Sequence, residues 1–415
     1  MAARFTLASG LTNNKYCNYI ASFSVRSLST LALLTVTISL CFIYSSSGPN
    51  YLTSNMDGFL FAQNKTHLLS TAKYDCLYCE RPPIYGYTQE QLFDACLDSG
   101  VVPEYYMSII LPSRPVEYSA EHYTRLQNTI DSTFLLAEKS KTLMELVLVE
   151  WNPEPQRRPL RDTYRFRRSD YLTYRIITVP RKIHQSLQQP ERAAMYEYEA
   201  KNVGIRFARG EFVLTVNNDV IWTPNMINAI ASRSWRKGMF YTQSQNTTSI
   251  SAESDPLAVQ IPNFSTDDEL NRVCGHHNNF AKGSFKMGNL VDMDTENYSK
   301  MTRNAGDFTL ADRESWRLTK GYRETGATTG ADTELLLTAA WTLDLPIAFQ
   351  PTTTFNCHQQ LRSVQNTSLD TNVDIDGLKN KKVSYMNKSD QWGLQGRDLY
   401  KEGVQCEVFR GGLGM

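Results

Sequence analysis

Three polar residues, Asn217, Asn218 and Asp219, follow the apolar run EFVLTV. A carboxylate at the end of a strand, with an amide oxygen two residues earlier, offers the oxygen ligands that Mg²⁺ and Mn²⁺ prefer in proteins. The alternative is a turn in which Asn and Asp bond to nearby backbone groups. The chemistry predicted here is cation and phosphate binding, with Asp219 and Asn217 as metal ligands.

The segments around this triplet alternate between strands and helices. Short apolar runs predict strands at Tyr105–Ser113, Leu143–Trp151 and residues 174–180, and the run before the triplet is the fourth. Apolar residues at three- and four-residue steps predict helices over residues 117–140 and 193–208. The alternation predicts an α/β fold with a mostly parallel sheet flanked by helices. Ligands of such sheets bind at the carboxyl ends of the strands, where the triplet lies.

The N-terminal region predicts a membrane anchor. The chain has 43 basic and 43 acidic residues, so general nucleic-acid binding has no electrostatic support. Residues 28–44 contain no charged residue, and this is about the shortest length that spans a bilayer as one helix. Only basic charges precede them, which favours a cytoplasmic N-terminus and a lumenal body. A cleaved signal peptide and a mitochondrial transit peptide are the alternatives.

The predicted organisation follows from this anchor. It comprises a cytoplasmic tail (1–27), a transmembrane signal anchor (28–44), a lumenal stalk (45–103), a catalytic domain (104–360) and a C-terminal extension (361–415). The cysteines beyond the anchor are expected to form disulfides in an oxidising compartment, with a connectivity that their spacing leaves open. N-x-S/T sequons in the same region begin at Asn64, Asn246, Asn263, Asn297, Asn366 and Asn387.

The segment KNVGIRFARGEFVLTVNNDV, residues 201–220, resembles family-2-like glycosyltransferases with the GT-A fold. Those enzymes read R-N-x-G-x-x-x-A-x-G-E, then an apolar strand and D-x-D. Asp219 takes the place of the last Asp, and Asn217 replaces the first. The resemblance implies that Asp219 binds the metal directly. The donor-binding residues that it implies in this segment are Asn202, Arg206, Asn217 and Asn218.

Two earlier segments resemble the first two strands of the same family. SIILPSRP (108–115) resembles the first strand and its nucleotide-facing turn, and ELVLVEWNP (145–153) resembles the second. The donor contacts implied here come from Ser108, Pro112 and Glu150, with Asn152 as the substitute for Glu150.

A later segment, GYRETGATTGADTELLLTAAW (321–341), resembles the family signature G-F-x-E…G-E-D-x-D-L. Asp332 takes the place of the catalytic carboxylate and Glu334 that of the acid two residues on, while Ala331 replaces the usual Glu. The start of a helix favours the ionised form of Asp332. The alternative is that Asp332 only caps this helix.

Two further residues complete the site that the resemblance implies. Asp307, in NAGDFTLADRESW, is expected to bond acceptor hydroxyls, whereas Asp312 is expected to cap the next helix. His358 is expected to complete the metal shell, since imidazole suits Mn²⁺ better than Mg²⁺.

The function that this resemblance implies is sugar transfer by a Golgi-type (or ER) membrane enzyme. The donor is expected to be a nucleotide-sugar, here a UDP-sugar, and the acceptor a glycan or glycoprotein. The reaction is expected to invert the anomeric centre and to depend on Mn²⁺ or Mg²⁺. Two alternatives stay open: a non-catalytic lumenal protein that kept the scaffold, suggested by Asn217 and Ala331, and a nucleotidyltransferase.

Overall fold

The computed structural model describes residues 76–77, 102–114, 120–243, 267, 305–349, 354, 356–359, 373–388 and 392–412. The side chains of residues 120, 121 and 358 lie outside this description. All described residues belong to one compact unit, Lys73–Met415. The predicted tail, the predicted anchor (28–44) and nearly all of the predicted stalk lie outside the described residues. None of the described helices combines the length and apolarity that a bilayer-spanning helix needs.

Four parallel strands form the centre of the main sheet. They are β1 (Tyr105–Ser113), β2 (Met144–Trp151), β3 (Leu172–Val179) and β4 (Gly210–Thr215). Their spatial order is β3-β2-β1-β4, so the direction of strand addition reverses at β1. A ligand of such a sheet binds outside the carboxyl ends of the strands at this reversal. The carboxyl ends of β1 and β4 therefore mark the expected site.

Helices cover both faces of this sheet. The helices of the first half are α1 (Ala120–Ser140), α2 (Leu160–Thr163), α3 (Arg181–Gln185) and α4 (Glu197–Arg206). Alternate residues of β1 point to opposite faces, so Ile109 joins the same core as Ile130 of α1, and Ile110 joins that of Val203 of α4. Gly204 lets α4 approach β1 closely, since a Cβ there would clash with the side chain of Ile110.

Shorter elements complete the fold. The remaining strands are β5 (Val220–Trp222), β6 (Phe240–Thr242), β7 (Thr309–Asp312), β8 (Ile347–Phe349), β9 (Asn356–His358) and β10 (Gln405–Phe409). The remaining helices are α5 (Pro224–Ala231), α6 (Arg313–Thr319), α7 (Ala331–Thr342) and α8 (Ile375–Lys379). Within the described residues the main sheet runs β10-β3-β2-β1-β4-β7-β6-β8, and β5 pairs with β9 in a second sheet. The predicted α/β class with a large, mostly parallel sheet is confirmed.

The C-terminal segment is joined to the sheet. Strand β10, which lies in the predicted C-terminal extension, pairs antiparallel with β3. Cys406 of β10 forms a disulfide with Cys76, 330 residues earlier, and Cys357 is disulfide-bonded as well. The guanidinium of Arg175 donates to the carbonyl of Cys76 at 3.3 Å. Cys76 of the predicted stalk and strand β10 are thus bound to the same edge of the sheet.

Candidate functional site

The end of β4 carries the polar triplet to the expected ligand-binding edge. Asn217 and Asn218 are half-buried there, and Asp219 is buried. Strand β9 runs beside it, since Val220 pairs with His358 and the Gln359 N–H donates to the Asp219 carbonyl at 2.9 Å. The backbone of His358 therefore lies next to the triplet, as the predicted metal shell requires, while its side chain lies outside the described part of the structure.

Asn217 connects a buried ammonium to a carboxylate. Its Oδ1 accepts from Lys201 Nζ at 2.8 Å, and its Nδ2 donates to Asp307 Oδ1 at 2.6 Å. Lys201, from α4, is fully buried, donates to the Gly306 carbonyl at 3.3 Å and pairs with Glu197 at 2.6 Å. A cation that helix α4 supplies is therefore the direct neighbour of the first triplet residue.

Asp332 lies on the other side of Gly306. Its Oδ1 accepts from the Tyr198 hydroxyl at 3.2 Å. A Cβ built on Gly306 would lie 3.3 Å from Asp332 Oδ2 and 3.4 Å from Asn217 Nδ2, so both side chains border this glycine. Asp332, Asp307 and Asn217, which were predicted from separate motifs, are brought together here.

Asp332 is not the N-cap of its helix. Gly330, in the left-handed conformation with φ of 86°, is the N-cap of α7, so the capping alternative is wrong. Asp332 instead lies in the first turn, where the backbone N–H groups of Thr333 and Gly306 donate to it. By contrast, Asp312 caps α6 as predicted, because its side chain accepts from the Ser315 N–H.

Burial raises the pKa of the Asp332 carboxyl, and the Lys201 ammonium and the backbone N–H of Thr333 oppose this rise. The helix start does favour the ionised form through this N–H, but desolvation outweighs it, so the pKa is raised overall. A raised pKa makes the deprotonated carboxylate a stronger base. Burial also raises the pKa of Glu334, which pairs with Arg323 at 3.5 Å.

Asp219 has a cationic partner of its own. Its Oδ2 accepts from Arg125 Nη1 at 3.0 Å, and the two side chains are only 8% and 5% exposed. The same Arg125 nitrogen donates to the Gln359 carbonyl at 3.0 Å. The Gln359 side chain in turn bonds to the Arg125 carbonyl and to Asn128. Helix α1 thereby holds the triplet and the end of β9 together.

Two of the predicted metal ligands have cationic neighbours in the structure. Asp219 is paired with a guanidinium, and the amide oxygen of Asn217 accepts from an ammonium. Among the described residues, no group of three or more His, Cys, Asp and Glu could hold a metal ion. A divalent cation on Asp219 would stand close to Arg125 and would be repelled by it.

The predicted donor residues of the first two strands differ in where they lie. Glu150 is buried, and its carboxylate accepts from Leu160 N–H at 2.9 Å and from the Thr178 hydroxyl at 2.6 Å. Burial raises its pKa. Asn152 follows the end of β2, and Arg114 follows the end of β1. The Arg114 Nε donates to the Asn152 carbonyl at 2.9 Å. Asn152 and Arg114 thus lie together at the edge where a nucleotide is expected.

Ser108 and Pro112 lie at different heights of β1. Pro112 is the penultimate residue of the strand, next to the ligand-binding edge. Ser108 lies five residues before the strand end, roughly 16 Å away at about 3.3 Å per residue. Its hydroxyl donates to Glu145 at 2.5 Å, and Glu145 pairs with Arg175 at 2.9 Å. Ser108 therefore belongs to a buried ionic network away from the site.

Asn202 holds the loop that leads to Asp332, and Arg206 packs against Trp392. The Asn202 amide donates to the Tyr322 carbonyl at 2.7 Å and to Glu324 at 2.8 Å, and it accepts from Tyr322 N–H at 2.8 Å. The Arg206 guanidinium lies over the Trp392 ring, 4.4 Å from its centroid. None of these contacts of the two predicted donor residues involves Asn217.

Sequence reasoning missed four residues of this site, namely Lys201, Tyr198, Gly306 and Arg125. One signal was present, because Glu197 and Lys201 stand four residues apart on a helix, the spacing of an ion pair. No local pattern pointed to Arg125, which lies 94 residues before Asp219.

The comparisons with known proteins give fold-level similarity only. No protein-family model and no curated protein matches the chain. TarS 1–349 of S. aureus in complex with UDP-GlcNAc is 11% identical with a TM-score of 0.34, and the match covers 62% of this chain and 59% of that one. The Drosophila β1,4-galactosyltransferase 7 catalytic domain with xylobiose is 10% identical with a TM-score of 0.31, covering 67% and 80%. The chain spans between 36% and 60% of the TarS chains that it matches. These values establish neither a family nor an activity.

Glu199 predicts a pH dependence of stability. It is buried on α4 and accepts from Gly326 N–H at 2.8 Å, in the loop before Asp332. Burial, and then the nearby Glu324, raise the pKa of Glu199 to about 7. Between about pH 4.5 and 7 the folded chain therefore holds a proton that the unfolded chain releases, and the free energy of unfolding falls as pH rises.

We expect Glu199→Gln to remove this fall in the free energy of unfolding, which is roughly 3 kcal/mol at most. Urea unfolding at about pH 5, 6, 7 and 8 measures it, with the partly exposed Glu314→Gln as the control. An unchanged pH slope in Glu199→Gln would show that another group carries the dependence.

Proposed function

We propose that the chain is a glycosyltransferase that moves a sugar from a nucleotide-sugar to a hydroxyl group of a glycan or glycoprotein. The observation that carries the proposal is the meeting of Asp332, Asp307 and Asn217 around Gly306, beside the carboxyl end of β4. The strand order reverses next to this edge, where α/β sheets bind ligands. The sequence resemblance to family-2-like glycosyltransferases supports the same chemistry.

The proposed reaction is a single displacement at the anomeric carbon. The acceptor oxygen forms a bond to that carbon while the bond to the nucleotide diphosphate breaks. Asp332 takes the acceptor proton, and the negative charge leaves with the diphosphate. A single displacement inverts the anomeric configuration. Asp307 bonds acceptor hydroxyls, and the donor, which we propose to be a UDP-sugar, lies along the edge that carries Asn152 and Arg114.

The dependence on Mn²⁺ or Mg²⁺ stays a prediction, and no step of the proposal uses it, because Asp219 is paired with Arg125. Calorimetric titration of UDP into the protein, with Mn²⁺ or with EDTA, tests the dependence. Binding that needs Mn²⁺ and is lost in Asp219→Asn would support the predicted ligand. Equal binding in EDTA would contradict it.

A binding scaffold without catalysis is the second candidate. Ala331 at the position of the usual acid favours it, as does the ion pair that neutralises Asp219. The two candidates differ in what Asp332 does, since a scaffold needs no base.

Replacing Asp332 separates these candidates. We expect Asp332→Asn to fold and to bind UDP as the unmodified protein does, because the base acts on the acceptor. Transfer should fall at least about 100-fold, the usual loss for a general base. Turnover of a panel of nucleotide-sugars measures it, with the exposed Asp376→Asn as the control. A fall of less than about tenfold would place the base elsewhere, at Asp307 or Glu334. Absence of transfer in the unmodified protein, with any donor, would favour the scaffold.

We also propose that the chain is a single-pass type II protein of the Golgi or ER membrane, with its body in the lumen. The Cys76–Cys406 disulfide supports an oxidising compartment. In sealed microsomes, added protease should leave the body intact, and glycosidase should reduce its mass. Digestion of the body in sealed vesicles would contradict this topology.

A further inference from the structure

The amide of Asn217 has a fixed direction. An ammonium can only donate hydrogen bonds, and an ionised carboxylate can only accept them. Asn217 lies between one of each, with Lys201 Nζ at 2.8 Å from its Oδ1 and Asp307 Oδ1 at 2.6 Å from its Nδ2. The two neighbours therefore dictate which end of the amide carries the oxygen. The result is a directed chain of hydrogen bonds from Lys201 through Asn217 to Asp307.

A carboxylate at position 217 could not form both hydrogen bonds, because it has no N–H to donate to Asp307. It would accept from Lys201 as the amide does, but its second oxygen would face Asp307 at hydrogen-bond distance. Two carboxylates this close repel each other, and one of them must take up a proton. The resemblance implies Asp at this position, so the pairing with Asp307 gives a physical reason for Asn217.

Both ends of the chain of hydrogen bonds have further contacts. The Lys201 ammonium pairs with Glu197 and lies 5.6 Å and 5.9 Å from the ring centroids of Tyr198 and Tyr322. The backbone of Asp307 is held from β9, where Asn356 Nδ2 donates to its carbonyl at 2.7 Å. Lys201 also donates to the carbonyl of Gly306, the residue before Asp307. The position of the Asp307 carboxylate thus depends on Lys201 and Asn217.

We propose that Lys201 and Asn217 are positioning residues that hold the Asp307 carboxylate for an acceptor hydroxyl next to Asp332, and that Asn217 contacts neither a metal ion nor the donor ribose. The acceptor part of this inference rests on the proposed function. The hydrogen-bond chain itself rests only on the geometry.

Exchanging the two side chains tests the hydrogen-bond chain. In Asn217→Asp, two carboxylates face each other, so the thermal unfolding midpoint should fall. In the double variant Asn217→Asp/Asp307→Asn, the amide and the carboxylate have changed places, and the new carboxylate accepts both from Lys201 and from the amide introduced at position 307. The unfolding midpoint should then return most of the way to that of the unmodified protein. A double-mutant cycle would report this recovery as strong coupling between positions 217 and 307. Asn228→Asp, exposed on α5, is the control for an added charge.

Acceptor kinetics test the role of Asp307. Asp307→Asn and the double variant should each raise the acceptor KM roughly tenfold or more, since each lacks the carboxylate at position 307. The dissociation constant for UDP should stay near that of the unmodified protein. The double variant therefore regains stability without regaining acceptor affinity, which a purely structural role would not produce. If Asn217→Asp does not fold, Asn217→Ala tests the positioning role: it removes both bonds without adding charge, so the acceptor KM should rise although the carboxylate at position 307 is still present.

Three results would overturn the inference. One is additive effects of the two substitutions on the unfolding midpoint. Another is tighter binding of UDP and Mn²⁺ by Asn217→Asp at an unchanged midpoint, which a metal or ribose contact implies. The third is an unchanged acceptor KM in Asp307→Asn. If the unmodified protein transfers no sugar, the proposed function and the acceptor role fail together, while the unfolding cycle still decides whether the hydrogen-bond chain exists.

Discussion

The buried ammonium of Lys201 is the interaction on which the candidate site depends. A fully buried cation is costly unless charges and hydrogen bonds surround it. Here Glu197 supplies the paired charge, Asn217 and the Gly306 carbonyl accept hydrogen bonds, and Asp332 adds a further negative charge nearby. Removing the ammonium would leave these groups as unbalanced acceptors in a largely buried site. The acidic residues can be gathered so closely because the cation is among them.

Helix α4 is the element that makes this arrangement possible. Gly204 allows the helix to lie against β1, and this closeness brings Lys201 under the end of β4. One turn of the same helix also binds the loop before Asp332. Asn202 donates to the carbonyl of Tyr322, and Glu199 accepts from the N–H of Gly326. Gly204 thus sets the position of the helix, Lys201 that of Asn217, and Asn202 that of the loop before Asp332.

The sequence predicted the scaffold better than the site. The strand Tyr105–Ser113 was predicted with its observed limits, and the helix predicted over 117–140 is observed as Ala120–Ser140. Apolar periodicity is a local signal, so it can be read from the sequence without knowledge of the fold. The pairing of charges is not local. Arg125 reaches Asp219 across 94 residues, and no pattern around either residue indicates the other.

The position of a residue within its strand or helix separates the predicted site residues that lie together from those that do not. Asp332, Asp307 and Asn217 were predicted as site residues from motifs. All three lie next to the ends of strands or helices, at one edge of the sheet. Ser108 was placed by the same kind of motif, but it lies in the middle of β1, where burial beside Glu145 gives its hydroxyl a structural partner. Position along a strand therefore decides between the two outcomes. A polar residue at the carboxyl end of a parallel strand can meet a ligand, whereas one inside the strand must satisfy its hydrogen bonds within the protein.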